Sequence, residues 1–241
     1  MTKLIINADD FGLSEAVNYG IISAYKSGVV TSTSAMANMP SLEHAMNLLK
    51  ENKNLGCGVH MTLSCYKPLL SNSKTIVDDN GYFIRRITNE VIENMDLDEI
   101  YNELCAQIEK VKSNTVITHL DSHHHVHTLE NLRPVIEKIL KRYNLPIRGG
   151  FEYDFNYSKI IPLVDSFYGD NVSEDYFVKK INYLKEYEIA DIMCHPAYID
   201  DFLMKTTSYS MVRIKEHKIL TSKDTKAFIQ DNFLLTNYKD L

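Results

Sequence analysis

The sequence lacks the features that would place the protein in a membrane or on a nucleic acid. No apolar window approaches the length of a membrane span, and the apolar run at residues 4–6 is too short for the core of a signal peptide. The formal net charge is -6, whereas proteins that bind polyanions usually carry a basic surface. We therefore expect a cytoplasmic protein that binds no membrane and no nucleic acid and acts on a small molecule.

Several signatures of known catalytic sites are also missing. The four cysteines form no CxxC pair, so we expect reduced side chains that pack as small apolar groups. Cys194, next to His195, is a candidate nucleophile, but the strand-like run before it and Pro196 after it favour a buried residue. There is no glycine-rich phosphate loop, no GxSxG motif and no dinucleotide-binding fingerprint. Nothing in the chain therefore indicates serine-based acyl transfer or nucleotide binding.

The chain shows no repeat and no linker, which predicts one domain over residues 1–241. Apolar, strand-like runs alternate with amphipathic helical segments. The predicted strands are residues 3–8, 29–36, 58–63, 115–120, 146–148 and 190–194. The predicted helices are residues 14–26, a segment opened by Ser41, 97–112, 129–143, 173–187, 208–217 and 222–231. This alternation predicts an α/β fold with a mainly parallel sheet, either a closed (β/α) barrel or an open doubly wound sheet.

Polar side chains recur where the predicted strands end, and this favours the barrel. They are Asp9, Asp10, His60, the segment 119–127, Arg148 and His195. A (β/α) barrel gathers the carboxyl ends of all its strands at one mouth. An open sheet would bring together only the residues at its switch point. We therefore expect these residues to meet in a single site.

Five of the nine histidines lie within residues 119–127. If this segment continues as an extended strand, alternate residues share a face. His119, Asp121, His123, His125 and His127 would then point one way and His124 the other. Imidazoles and carboxylates on one buried face are costly without a compensating partner. A bound divalent cation is our preferred explanation, and a solvated histidine-rich loop is the alternative.

The remaining polar residues suggest chemistry that complements a metal. Of Asp9 and Asp10, one carboxylate could bind the cation while the other accepts a proton from the water that the cation activates. A pair of aspartates that simply begins a helix is the alternative. His60 is either a core residue or a ligand. His195, presented at a loop by Pro196, is a candidate general acid. Together these residues predict hydrolysis by a metal-activated water.

Seven motifs occur in an order that resembles one known family. They are NADDFGLS (7–14), VTST (30–33), GVH (58–60), THLDSHHHVH (118–127), PIR (146–148), FYG (167–169) and CHP (194–196). The chain is similar to the YdjC-like carbohydrate deacetylases, including the chitooligosaccharide deacetylases, up to about residue 222. The resemblance implies a deformed, TIM-like (β/α) barrel of the polysaccharide-deacetylase type. It also implies removal of N-acetyl groups from carbohydrates of the chitobiose type.

The resemblance further implies roles for individual residues. One divalent metal ion, Mg²⁺ or Zn²⁺, would be held by Asp10, His60 and His123. Asp9 would be the general base and His195 the general acid. Arg148 would orient Asp9 through a charge-assisted hydrogen bond. Two histidines and a carboxylate suit zinc better than magnesium. The family also suggests a homodimer.

The chain departs from the family pattern in two places. The family usually has a glycine before Lys-Pro-Leu, where this chain has Cys65 and Tyr66, and residues 149–165 carry little family signal. We expect these departures to affect the size and identity of the sugar. A metal-dependent phosphoesterase, which would need more than one ion, and a metal- or sugar-binding module without catalytic activity are the alternative functions.

Overall fold

Nine strands and nine α-helices follow one another in the computed structural model, which describes residues 1–241. The strands are β1 (Lys3–Phe11), β2 (Ser32–Ala35), β3 (Gly56–Met61), β4 (Leu120–Ser122), β5 (Ile147–Arg148), β6 (Ile160–Ile161), β7 (Leu163–Val164), β8 (Ile189–Cys194) and β9 (Leu234–Leu235). The helices are α1 (Glu15–Ser27), α2 (Leu42–Glu51), α3 (Asn89–Ile92), α4 (Leu97–Lys112), α5 (Arg133–Tyr143), α6 (Tyr176–Leu184), α7 (Asp201–Thr206), α8 (Met211–Leu220) and α9 (Lys223–Asn232). No helix combines the length and the apolar character that crossing a membrane requires.

The strands form a parallel barrel. Their order is β6-β5-β4-β3-β2-β1-β8-β7, and β9 pairs with β1 outside this path. Only Pro162 separates β6 from β7, so one short segment joins the two ends of the path. Ile161 O in this segment accepts from Gly149 N at 2.7 Å, and Pro162 O accepts from Asp191 N at 2.8 Å on the other side. The predicted (β/α) barrel is therefore confirmed, and its two-residue strands β5, β6 and β7 make it irregular.

Local sequence signals explain several of the helix ends. Ser14 caps α1, because its side chain accepts a hydrogen bond from the Val17 backbone N–H, and Gly28 follows the last turn. Helix α4 has the bounds that the apolar spacing predicts, and Asp96 caps it by accepting from two backbone N–H groups. Ser222 caps α9 in the same way.

The prediction of a strand at residues 115–120 is wrong. Strand β4 begins only at Leu120, and a 3₁₀ helix, His123–Thr128, follows it directly. His124 and His125 both adopt φ of 54°, the left-handed region. The turn that they make ends the two-residue alternation at Ser122, so the predicted common face of the histidines is also wrong. The segment 149–165, which carries little family signal, contains β6 and β7.

The C-terminal tail closes the amino-terminal end of the barrel. Strand β9 pairs with Lys3 and Leu4 at the start of β1. Beyond it, Tyr238 is 2% exposed and packs against Ile5 and Ile161 in a small apolar cluster. The barrel is thus plugged at this end, and its open mouth lies at the carboxyl ends of the strands.

Candidate metal centre

The mouth of the barrel holds a cavity of about 330 Å³ that is lined mostly by polar side chains. The lining includes seven of the residues that the sequence singles out, namely Asp9, Asp10, His60, His123, His124, His125 and His195. Arg148 is fully buried and lies directly behind Asp9. The structure therefore brings Asp9, Asp10, His60, Arg148 and His195 together with part of the histidine-rich segment.

Asp10, His60 and His123 form a compact cluster of candidate ligands. Asp10 Oδ1 lies 3.3 Å from His60 Nε2 and 3.1 Å from His123 Nδ1. The three ligand atoms all lie within 4.8 Å of one another. Asp10 Oδ1 is buried and has no hydrogen-bond partner. Burying an unpartnered carboxylate oxygen costs free energy, and a bound cation would supply the missing partner. Two imidazole nitrogens and one carboxylate oxygen match the usual donor set for a divalent cation such as zinc. A divalent metal ion therefore fits this cluster.

Asp10 is held in place by a helix from the far end of the chain. Its backbone adopts φ of 70°, a conformation that aspartate tolerates better than most residues. Its other oxygen, Oδ2, accepts a hydrogen bond from the Arg213 guanidinium in α8 at 2.7 Å. Burial opposes ionisation of Asp10, but Arg213 and His123 outweigh it and hold its pKa well below the ordinary value. Asp10 is therefore an anion with one oxygen engaged and one oxygen facing the imidazoles.

His60 is oriented by Asp121. Asp121 Oδ1 lies 2.8 Å from His60 Nδ1, and the Ser34 hydroxyl donates to Asp121 Oδ2 at 2.7 Å. A carboxylate behind a histidine fixes which ring nitrogen faces outward, as in many metal sites. Burial disfavours the charged ring, but Asp121 and Asp9 outweigh it and raise the pKa of His60 to about 10. Metal binding at Nε2 must therefore release a proton.

Asp9 is clamped by Arg148. The guanidinium donates to Asp9 Oδ2 at 2.6 Å and to Oδ1 at 2.8 Å, and Asn7 Nδ2 also donates to Oδ1 at 2.8 Å. Burial raises the pKa of Asp9, but Arg148 more than compensates, so the pKa is lowered overall. The contact that we predicted between Arg148 and Asp9 is present, and Asp9 is ionised at neutral pH.

A chain of hydrogen bonds connects this clamp to the plugged end of the barrel. Arg148 Nε donates to Asp191 Oδ2 at 2.8 Å, and the Tyr238 hydroxyl donates to the same oxygen at 2.7 Å. Burial raises the pKa of Asp191, and Arg148 opposes that shift. Arg148 also contacts Asp121, at 3.2 Å. The buried guanidinium of Arg148 therefore contacts three carboxylates beneath the cavity, those of Asp9, Asp121 and Asp191.

His195 follows β8 and borders the same cavity. Its Nδ1 lies 3.8 Å from Glu216 Oε1 and has no hydrogen-bond partner. Glu216 is fully buried, and it accepts from the His195 backbone N–H and from the Tyr209 hydroxyl. The rings of Tyr168 and Tyr209 pack edge-on against the imidazole at 5.6 Å and 5.5 Å. His195 thus has a buried carboxylate on one side and the cavity on the other.

The other histidines of the cluster have different surroundings. His127 bridges the Ser122 hydroxyl at 2.5 Å and the Arg148 carbonyl at 3.0 Å, and burial lowers its pKa to about 3. His119 stacks on Tyr238 with ring centroids 3.7 Å apart. His124 pairs with the Ser64 hydroxyl at 2.9 Å, whereas His125 lines the cavity with an unpartnered Nδ1. Of the five, only His123 joins the three-residue ligand cluster.

Sequence reasoning missed Arg213, Glu216 and Asp191. Arg213 and Glu216 are charged positions on an amphipathic helix, which normally indicate a solvated face. Both are buried here because α8 packs against the mouth of the barrel. Asp191 did carry a signal: an aspartate between Ala190 and Ile192, inside an apolar strand, requires a buried partner.

Comparison with known proteins identifies the family. The model of the family described as YdjC-like protein matches residues 3–231. A protein of Clostridium beijerinckii named carbohydrate deacetylase is 40% identical over 249 residues, which cover 99% of this chain and 100% of that protein. One of the same name from Geobacillus stearothermophilus is 44% identical over 222 residues, which cover 90% of this chain and 88% of that protein.

Solved structures agree with this relationship. A protein of Enterococcus faecalis V583, provisionally assigned to cellobiose-phosphate cleavage, has a TM-score of 0.90 and 36% identity, and the match covers 99% of this chain and 98% of that chain. A family 4 carbohydrate esterase from Streptomyces lividans, in complex with acetate, has a TM-score of 0.53 at 12% identity, covering 98% and 91%. At that identity the similarity shows a shared fold only. The chain therefore belongs to the family of YdjC-like proteins.

Proposed function

We propose that the protein is a metal-dependent hydrolase that removes the N-acetyl group from an acetylated carbohydrate of the chitobiose or chitooligosaccharide type. The observation that carries this proposal is the Asp10–His60–His123 cluster, which shares one cavity with a clamped carboxylate and a loop histidine. Relatives of the same family that align over nearly the full chain are named carbohydrate deacetylase.

Asp10, His60 and His123 would hold the metal ion. A bound divalent cation would lower the pKa of a water molecule and polarise the acetyl carbonyl oxygen. Of the two candidate ions, Zn²⁺ suits the two imidazoles better than Mg²⁺ does. Asp121 and Arg213 position His60 and Asp10 for this task.

Asp9 and His195 would move the protons of the reaction. Asp9 is ionised and borders the cavity, so it can accept a proton from the attacking water, while Arg148 and Asn7 fix the direction of its oxygens. His195 would donate a proton to the sugar nitrogen as acetate leaves. Glu216 Oε1 lies behind its ring, 3.8 Å from Nδ1. The proposed base and acid lie at the ends of different strands of the barrel, β1 and β8.

The surroundings of Asp9 favour a single ion. A second cluster of potential ligands, Asp9, His60 and Asp121, shares His60 with the first. Arg148 already contacts both of its carboxylates, at 2.6 Å and 3.2 Å. Its positive charge disfavours a second cation there. A single ion is what a deacetylase needs, and this supports the deacetylase over a phosphoesterase.

The barrel also supports residues 1–241 as a single domain. One continuous core of 57 buried residues extends from Leu4 to Phe233. The substrate would therefore be bound by this barrel and its loops.

Acetate release from a panel of N-acetylated mono- and oligosaccharides tests the proposed function. We expect the metal-loaded protein to release acetate and a free amine in equal amounts, and EDTA to abolish the activity until Zn²⁺ or Mg²⁺ is restored. Phosphate esters, assayed in parallel, should not be hydrolysed. If the metal-loaded protein releases no acetate from any N-acetylated sugar, the proposal is wrong.

A further inference from the structure

The cavity of the metal cluster opens into a second, larger cleft. This cleft has a volume of about 560 Å³, and it shares His123, His124 and Arg213 with the first cavity. Ligand-binding cavities in proteins typically measure roughly 300–1,000 Å³. The second cleft therefore has room for a further part of the substrate, next to the part that carries the acetyl group.

Tyr66 lies on the wall of this cleft in an unusual backbone conformation. Its φ is 66°, in the left-handed region, and 38% of the residue is exposed. For a bulky aromatic residue this conformation is a steric outlier. Glycine adopts it freely, so a tyrosine at this position carries a steric cost.

The loop around Tyr66 is held rigidly. The buried Asn38 amide donates to the carbonyl oxygens on both sides of it, to Cys65 O at 2.8 Å and to Lys67 O at 3.0 Å. The Phe83 backbone N–H donates to Tyr66 O at 2.8 Å. Strained residues persist where the surrounding contacts determine the backbone in this way, and they concentrate at ligand sites. The backbone that carries the Tyr66 ring is therefore held by these contacts before any ligand binds.

A second aromatic ring supports the first. Tyr82 meets Tyr66 edge-on, with ring centroids 6.1 Å apart, and the Lys67 ammonium lies 4.6 Å from the centre of the Tyr82 ring. The rest of this wall is mixed, and it includes Arg85 and Phe202. A rigid, partly exposed aromatic ring beside polar groups is suited to the apolar C–H face of a pyranose.

We propose that Tyr66 is a specificity-determining residue whose ring stacks on the sugar unit next to the acetylated one. It would give this chain a preference for N-acetylated oligosaccharides of at least two units over monosaccharides. This inference rests on the proposed deacetylase function and adds a binding subsite to it.

Three variants of Tyr66 separate the ring from the backbone. Tyr66→Asn removes the ring but keeps a residue that tolerates the left-handed region, Tyr66→Gly relieves the steric conflict, and Tyr66→Phe keeps the ring. For N,N′-diacetylchitobiose we expect KM to rise roughly 3- to 10-fold in the Asn and Gly variants. KM for N-acetylglucosamine and kcat should not change, and the Phe variant should behave as the wild type.

The melting temperature tells a binding role from a structural one. We expect Tyr66→Gly to melt no lower than the wild type although it binds the disaccharide less tightly. Unchanged disaccharide KM in the Asn and Gly variants, or an equal rise for both sugars, would overturn the inference.

If the wild type releases no acetate, the proposed function fails. Calorimetric titration of the metal-loaded wild type and Tyr66→Asn with diacetylchitobiose then decides: weaker binding by the variant supports the subsite, and equal or absent binding refutes it.

Discussion

Asp121 gives the sharpest test of how the metal cluster is oriented. In the Asp121→Asn variant, the amide oxygen should turn to the donors Ser34 and Arg148, now 2.7 Å and 3.2 Å from Asp121 Oδ2. The amide NH₂ then faces His60 Nδ1, where Oδ1 lies now at 2.8 Å. An NH₂ donor there forces the proton onto His60 Nε2, the atom that faces Asp10. The substitution is nearly isosteric, so it leaves no cavity.

The expected effect is a large loss of metal affinity. Removing the partner of a metal-binding histidine typically weakens binding 10- to 100-fold, which corresponds to about 1.4–2.7 kcal/mol. Because the tautomer is inverted as well, we expect a value near the upper end. Calorimetric titration of the chelator-stripped variant and of the wild type with Zn²⁺ measures this loss of zinc affinity.

Asp191→Asn is the matched control for Asp121→Asn. Asp191 is equally buried and also binds Arg148, at 2.8 Å, but it does not contact His60. Its substitution should change the stability and leave the zinc affinity within about threefold of the wild type, a difference under about 0.7 kcal/mol. Wild-type affinity in a folded Asp121→Asn variant, or an equal loss in the control, would refute the proposed role of Asp121.

Three further predictions concern the buried surroundings of the site. Gly58→Ala would place a methyl group 2.4 Å from the His119 ring, and this overpacking should cost about 1–3 kcal/mol in a denaturant titration; an unchanged midpoint would contradict it. His127, with its pKa lowered to about 3, stays neutral in the fold while the unfolded chain gains a proton below about pH 6.5. The unfolded state then binds more protons, so this residue should remove about 2 kcal/mol of stability between pH 6.5 and 5; His127→Asn should show a shallower slope over that window, and parallel slopes would refute it. Tyr238→Phe removes a donor 2.7 Å from buried Asp191 and should lower the unfolding free energy by about 1–3 kcal/mol with the bound metal retained; loss of the metal would show that the tail acts on the ligands themselves.

The sequence predicts the fold and the membership of the site well, because both depend on regular patterns. The alternation of strand-like and helical runs implies a parallel sheet, and in a barrel the residues at the strand ends must meet. Asp9, Asp10, His60 and His195 all lie at such ends and border one cavity. These placements follow from the connectivity and need no knowledge of side-chain contacts.

The local course of the histidine-rich segment could not be predicted. His124 and His125 adopt left-handed conformations without a glycine or an asparagine to indicate a turn. The surrounding fold imposes this turn, and it separates His123 from the other histidines. The partners of the site residues were hidden for a different reason: Arg213 reaches Asp10 across 203 positions of the chain, and its own helix gives no sign of that contact.

In the proposed function, Asp10 helps to bind one metal ion while the adjacent Asp9 acts as the base. Metal content and acetate release, measured on the same preparations of the wild type, Asp9→Asn and Asp10→Asn, distinguish these two roles. We predict about one ion per chain in the wild type and in Asp9→Asn, with turnover reduced about 10²- to 10⁴-fold in the latter, and loss of both metal and activity in Asp10→Asn. Wild-type turnover by a metal-loaded Asp9→Asn protein would contradict the role of Asp9 as the base, and full metal occupancy in Asp10→Asn would contradict the role of Asp10 as a ligand.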